Sequence, residues 1–548
     1  MQPDELQRLL LLSLFLPIVG AGLTWALADL GQRVVRRCAL LVTVLTVLAA
    51  GVVVFHFPTD PAEATQYAAY HGEWFNAAAG IDIGFDVGLD GLSLWLYGLS
   101  ALLLLTCVLV SWEAVTDRPA AFYGLLLLLG GGMLGVFAAK DIVLFYVFFE
   151  FTLIPLFFLI GGWGSEERRH AAIKFFLFTL TGSVLTFLSL LAIVIWVWND
   201  SGRIEMTFSI PELTAYLTQK PMDLTTQMWI FLGLFAGFAI KVPLFPLHTW
   251  LPLAHTQAPT AGSVVLAGVL LKIGTYGFLR FSLPMLPQAT AACAGWLLWL
   301  SVAGIMYGAL VALAQSDMKR LIAYSSVSHL GFCMLGIFAL NSLGVQGGAL
   351  QMINHGLSTG GLFAVIGMLY ERYHTRRIND LGGLARRMPL LALMMLLFTF
   401  SSIGLPGLNG FAGEFPLLLG MFQRGWAETP AADADSLKVI AVLAVTGVVL
   451  GAWYMLWMVQ RVFFGPLKEA NHTDADPPVR DLSLREFAAL APLLVFVFWI
   501  GLYPKYFLDT MSPALEAARR PAAEALEKPT ASPPALASDG DNDRGVQR

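Results

Sequence analysis

The chain predicts an all-α polytopic membrane protein of about 14 transmembrane helices, and three observations predict it. Mean hydropathy is +0.69. Charged residues make up 13% of the sequence, about half the ~25% of a soluble domain. Apolar runs of about 20 residues, each long enough to span a bilayer, recur along nearly the whole chain. They start near Leu9, Val34, Leu92, Phe122, Ile142, Ile173, Trp229, Gly262, Gly295, Leu321, Gly347, Leu390, Val439 and Phe487. Further spans follow the run at Leu9, so it reads as an anchor and not a cleaved signal.

Taken in order, residues 1–121 hold the first spans and a long loop. Residues 57–90 of that loop carry six acids and no Lys or Arg. Basic residues crowd alternate loops instead: Arg33, Arg36 and Arg37; Arg168 and Arg169; Lys319 and Arg320; Arg372, Arg376, Arg377, Arg386 and Arg387; Arg461, Lys468, Arg480 and Arg485. The positive-inside rule puts these on the cytoplasmic side and both termini outside. An even number of spans requires both termini on one side, which agrees. The net charge of −5 says nothing about partners beyond the lipid bilayer, and no nucleic-acid partner is expected. Residues 122–464 form the expected core, 465–511 a loop and helix, and 512–548 a tail rich in Ala, Pro, Asp and Glu that reads as disordered.

Within the core, residues 229–251 read WIFLGLFAGFAIKVPLFPLHTWL. A lysine at the centre of a membrane helix costs roughly 2.5–3.5 kcal/mol on insertion scales. Pro243 lacks an N–H and its ring clashes with the Ala239 carbonyl, so the helix must break beside Lys241. An ionisable group at a broken membrane helix is a layout used for ion transport. The other buried candidates are Glu150 in LFYVFFEFTLIPLFFLI, Lys272 in VVLAGVLLKIGTYG, His329 in YSSVSHLGF, His355 in MINHGLSTGG and Glu414 in GLPGLNGFAGEFPLLLG, a span broken by glycines and Pro406. A packing role stays open for any one of the six, and the histidines could bond Ser326, Ser328 or Ser358. Six groups on six helices, each costing insertion free energy, point to transport. Burial lowers a lysine's proton affinity and a nearby carboxylate restores it, so moving such a pair together or apart moves a proton. Histidine titrates near neutral pH and suits a relay. His170, His248 and His255 sit near span ends and are weaker candidates.

The chain also echoes itself. AIKVPLFP at 239–246 resembles SIGLPGLN at 402–409, with Pro243 matching Pro406; GVLL at 268–271 resembles GVVL at 447–450; and 172–185 aligns loosely with 349–362. Five helices over about 122–286 would map onto five over about 295–464. Five is odd, so the second copy would be inverted, an arrangement known in transporters.

Redox cofactors find no seat here. Cys38, Cys107, Cys293 and Cys333 are scattered in apolar runs, with no CxxC pair for zinc or an iron–sulfur cluster. GGGMLG at 130–135 matches GxGxxG but lies inside a span with no strand before it, so close helix packing explains it better than a dinucleotide. Cofactor-binding and metal residues are expected to be absent from this chain.

FAIKVPLFP together with HTWLPLAHTQAPTAGSVVLAGVLLKIGTYGFLRF (248–281), and FYVFFEFTLIPLFFLIGGWG (145–164), closely resemble the antiporter-like membrane subunits of respiratory complex I, the NADH:quinone oxidoreductase. The resemblance covers nearly the whole chain. One branch of that family carries Glu in NGFAGEF where its sisters typically carry Lys, and Glu414 is that position; FDVGLDGLSLWL at 85–96 looks like the same branch. The resemblance implies a proton-translocating subunit in a bacterial inner membrane, with FMN, iron–sulfur clusters and quinone held by other subunits and sister antiporter-like subunits as partners. It implies Glu150–Lys241 as input pair, Lys272, His329 and His355 as relay, and Glu414 as exit. One departure is Leu253 in LPLAH, where bacterial members commonly have Asp. An Mrp-type cation/proton antiporter subunit, the membrane arm of an ion-pumping hydrogenase, and a structural spacer remain open at this point.

Overall fold

The computed structural model describes residues 2–527 apart from 59, 66, 76–79, 428–433 and 471–478. Among the described residues, thirteen helices are long and apolar enough to cross a membrane. A shorter apolar helix, Pro389–Ser402, occupies the run expected from Leu390. Side chains such as Val19, Leu41, Val449 and Val495 are exposed on the rim of the bundle, as lipid-facing residues are. The helices Thr260–Met285 and Ser342–Tyr373 are instead enclosed on all sides. They cross where Gly268 meets Gly356: a Cβ on Gly356 would stand 2.6 Å from the Gly268 carbonyl oxygen. Only hydrogen fits there. The 130–135 glycines serve the same end, since a Cβ on Gly135 would lie 2.2 Å from the Phe148 ring.

Two capped ends close the bundle. At one, strands Glu73–Phe75 and Ile81–Gly84 pair antiparallel, and the latter pairs parallel with Met206–Thr207. This cap ties to the helix ends through Lys140 N–Asp86 O and Gly88 N–Ala138 O, both 2.8 Å. At the other end the basic residues gather. Arg36 donates to the Val115 carbonyl, Arg372 pairs with Glu486 at 2.8 Å, and Arg485 pairs with Glu113 at 3.1 Å. Several of these residues are therefore helix-end anchors and not loop charges. Lys319 departs furthest from a loop position: it is 4% exposed and donates to the Ala258 carbonyl at 2.8 Å.

The tail expected to be disordered from Ser512 begins as helix. Pro504–Glu527 is helical and buries Phe507, Met511, Leu515, Ala518 and Ala522. Those five follow a helical period, and that apolar stripe outweighs the Ala/Pro/Glu composition. Residues 528–548 lie outside the described residues.

Candidate functional site

Two helices break inside the bundle. The Leu224–Lys241 helix ends at Lys241, and the chain resumes as helix at Trp250–Gln257. Pro243 lies in the gap. Trp250 Nε1 donates to the carbonyl of Ile240 at 3.0 Å, satisfying one group that the break frees. The second break separates Pro389–Ser402 from Asn409–Gly425 and contains Pro406. Gly404 and Gly407 take positive φ there, at 71° and 92°, which glycine adopts without cost. The breaks share a backbone pattern: Leu244 N–Ala239 O and Leu247 N–Leu244 O recur as Leu405 N–Phe400 O and Leu408 N–Leu405 O. This register pairs Leu244 with Leu405, two residues away from the one that aligns Pro243 with Pro406.

Lys241 is 4% exposed, and its Nζ lies 4.5 Å from the Phe149 ring centroid. Glu150, next along that helix, acts on Lys241 electrostatically without a salt-bridge contact, and its Oε1 has no hydrogen-bond partner. The two side chains are apart.

Lys272 lies between two π-helical segments, Leu266–Leu270 and Phe278–Ser282. Such segments mark functional positions because they free carbonyls from the regular ladder. Lys272 takes one of them, donating to Ala267 O. Its Nζ also meets His355 Nδ1 at 2.6 Å. His355 faces His329 with ring centroids 5.7 Å apart. His329 Nδ1 approaches Glu414 Oε1 at 3.3 Å, and His329 Nε2 meets Ser402 Oγ at the rim of the second break, also at 3.3 Å. Glu414, 5% exposed, accepts from Gln351 Nε2 at 2.9 Å. Four of the six expected residues thus form one buried run: Lys272, His355, His329, Glu414.

The run is loosely joined. His329 Nδ1 and His355 Nε2 form no hydrogen bond, and His329, Gln351, Asn354, His355, Ser401 and Ser402 line a small void beside the rings. The serines weighed as histidine partners are engaged elsewhere: Ser326 with Ile322 O, Ser328 with Ile305 O, Ser358 with Asn354 O and Ser401. Among the described residues, no hydrogen bond joins the Glu150–Lys241 pair to this run.

Gln351 and Asn354 were not foreseen. With His355 and Ser358 they stand at i, i+3, i+4 and i+7 of one helix, a polar stripe that helical spacing makes visible. His255 is fully buried, stacked on Phe363 at 4.6 Å, with neither ring nitrogen bonded. His248 packs against Tyr307 at 5.0 Å near the first break. Leu253 packs against the apolar core. Among the described residues, no cluster of three or more His, Cys, Asp or Glu could hold a metal ion.

Comparison with known proteins fits this geometry. A family described as NADH:quinone oxidoreductase/Mrp antiporter, TM, matches residues 139–433. NADH-quinone oxidoreductase subunit M of Rhodobacter capsulatus is 41% identical over 93% of this chain and 96% of its own. NADH-ubiquinone oxidoreductase chain 4 of Chondrus crispus is 38% identical over 91% of this chain and 95% of its own. Among solved structures, a chain of respiratory complex I from Thermus thermophilus with bound NADH superposes with a TM-score of 0.81 at 34% identity, covering 94% of this chain and 99% of its own. A chain of the Mrp complex from Dietzia sp. DQ12-45-1b shares the fold, with a TM-score of 0.77 at 22% identity, covering 94% of this chain and 99% of its own.

Proposed function

The chain belongs to the NADH-quinone oxidoreductase subunit M (chain 4) family, and from that premise we propose that protons cross it along Lys272, His355, His329 and Glu414, with Glu150 and Lys241 as the pair that controls entry. It is a membrane-arm component of a proton-translocating complex. Flavin, iron–sulfur clusters and quinone belong to other subunits in this reading, and sister antiporter-like subunits flank the chain. The end that gathers arginines faces the cytoplasm of a bacterial inner membrane, and both termini face outward. Each of the two inverted five-helix halves contains one broken helix.

The single observation that carries the reading is the close succession of buried titratable groups from Lys272 to Glu414, with one gap between the two imidazole rings. Each link joins different helices, so small helix shifts open or close it. Histidine suits the middle because either nitrogen can hold the proton while the other releases one.

His329 is the bridge, and its removal tests the path. In membranes with normal complex content, His329→Ala should lower both quinone-dependent NADH oxidation and proton uptake by about a hundredfold, the low side of what a lost proton-transfer group costs. Proton uptake at the unmutated rate would remove the relay from the reading.

A further inference from the structure

The relay leaves a buried charge cluster beneath the strand cap unused. Asp90, Lys140 and Arg280 come from three separate parts of the chain and meet beneath the strand cap. Arg280 is bidentate on Asp90, Nη1 to Oδ2 and Nη2 to Oδ1, both 2.7 Å. Lys140 Nζ donates to Asp90 Oδ2 at 2.9 Å. Their side chains are only 13–14% exposed. Two cations share one carboxylate, so the cluster holds an excess positive charge. Arg280 Nε also donates to the Tyr276 hydroxyl at 2.9 Å.

Position gives this charge a use. Lys272, Tyr276 and Arg280 are spaced four apart on the Thr260–Met285 helix, so they line one face. The rise from Lys272 to Arg280 is ~12 Å. A proton on Lys272 has a bonded way out sideways to His355; a second way, toward the cap, would run past Tyr276 and Arg280, the next polar groups on that face. The second way ends in groups that cannot pass it on. Arginine does not deprotonate at working pH. Burial works against the Asp90 carboxylate, yet Arg280 and Lys140 hold it well below the usual carboxylate range. Glu414, at the other end of the relay, has no Lys or Arg within salt-bridge distance among the described residues; it meets only an amide and a histidine. One acid is clamped between two cations, and the other has no cation beside it among the described residues.

We propose that Lys140, Asp90 and Arg280 form an electrostatic seal that closes the cap end of the Lys272 helix to protons, so that charge on Lys272 leaves only through His355, His329 and Glu414. The proposal rests on the relay reading and adds a one-way constraint to it. The seal has two parts. The Asp90–Arg280 pair fixes the geometry, and Lys140 supplies the surplus charge.

That division makes Lys140 the informative position. Lys140→Gln removes the surplus and leaves the bidentate pair; Lys140→Arg keeps the charge. The whole complex, reconstituted in sealed vesicles, is assayed for NADH oxidation, protons translocated per NADH, and passive proton conductance. Lys140→Gln should keep NADH oxidation within about twofold and raise passive conductance about tenfold, the scale of one unit charge acting at an effective dielectric near 20 over a distance like the ~12 Å from Lys272 to Arg280, with which Lys140 shares Asp90. Protons per NADH should fall, and Lys140→Arg should match the unmutated complex. Lys140→Cys gives a second route: labelling with a thiol reagent bearing an ammonium should restore tightness, and a neutral methylating reagent should not. Unchanged conductance and protons per NADH in Lys140→Gln would overturn the seal. So would loss of assembly in both the Gln and Cys variants with Arg intact, which makes the cluster a fold clamp. Failure of the relay itself reads differently, as unaltered pumping in His329→Ala.

Discussion

Glu150 illustrates how surroundings decide what a residue test can mean. Glu150→Gln keeps size and hydrogen bonding but removes the charge that acts on Lys241. Coupled activity per assembled complex should fall at least about tenfold, as expected when a charge partner of a proton carrier is lost. Restoring an acid one turn away should depend on which turn. Tyr146 is half-buried, its hydroxyl beside Glu150 and Ser183, whereas Ile154 is 51% exposed on the rim. Tyr146→Glu in the Glu150→Gln background should recover part of the activity and Ile154→Glu none. Equal rescue from both sites would show that the charge acts through no local geometry. At Lys241 the matching test is Lys241→Arg, which keeps charge but cannot release the proton. NADH oxidation and proton uptake in that variant should both collapse; full activity would reduce Lys241 to a fixed charge.

Among elements, the helix crossing at Gly268 and Gly356 sets the Lys272–His355 contact, since His355 is the next residue along. Gly356→Ala places a methyl 2.6 Å from a carbonyl oxygen. The two helices must separate, at a stability cost of about 1–3 kcal/mol. The complex should still assemble with a lowered melting temperature, while coupled turnover falls more than stability does; a variant with normal proton uptake would show that the contact tolerates the shift. Much at this scale was legible in the sequence. Span starts follow from apolar length, and the breaks follow from Pro243 and Pro406, because both are local signals. The Asp90–Lys140–Arg280 cluster was not legible: its members are 50 and 190 residues apart, and nothing local marks which distant cation will meet Asp90. Residues 512–527 were misjudged from composition, although Phe507, Met511 and Leu515 carry a helical spacing that Pro513 and Pro521 obscure.

At the scale of the whole molecule, the chain is expected to move protons and hold no redox centre. Purified alone in detergent it should bind no flavin, show no iron–sulfur absorbance and oxidise no NADH, because its four free cysteines are scattered and offer no ligand set for a cluster. A stoichiometric cofactor on the isolated chain would overturn that division of labour. The identity of the run was legible from residue type, since buried Lys, His and Glu are expensive in a membrane. Its continuity was not, because contacts such as Lys272 with His355 span 83 residues of sequence. The family resemblance implied a pair, a relay and an exit; the geometry brings the relay and exit residues together as a run of four and leaves the pair apart from them.

Glu414 ends that run, and its removal tests the account most directly. NADH oxidation and proton uptake are measured in parallel in membranes with normal complex content. Glu414→Ala should depress both together by at least about tenfold, because a blocked exit stops turnover. Glu414→Asp should be milder, as the titratable group survives on a shorter stem. Proton uptake in Glu414→Ala equal to that of the unmutated complex would contradict the path from Lys272 to Glu414.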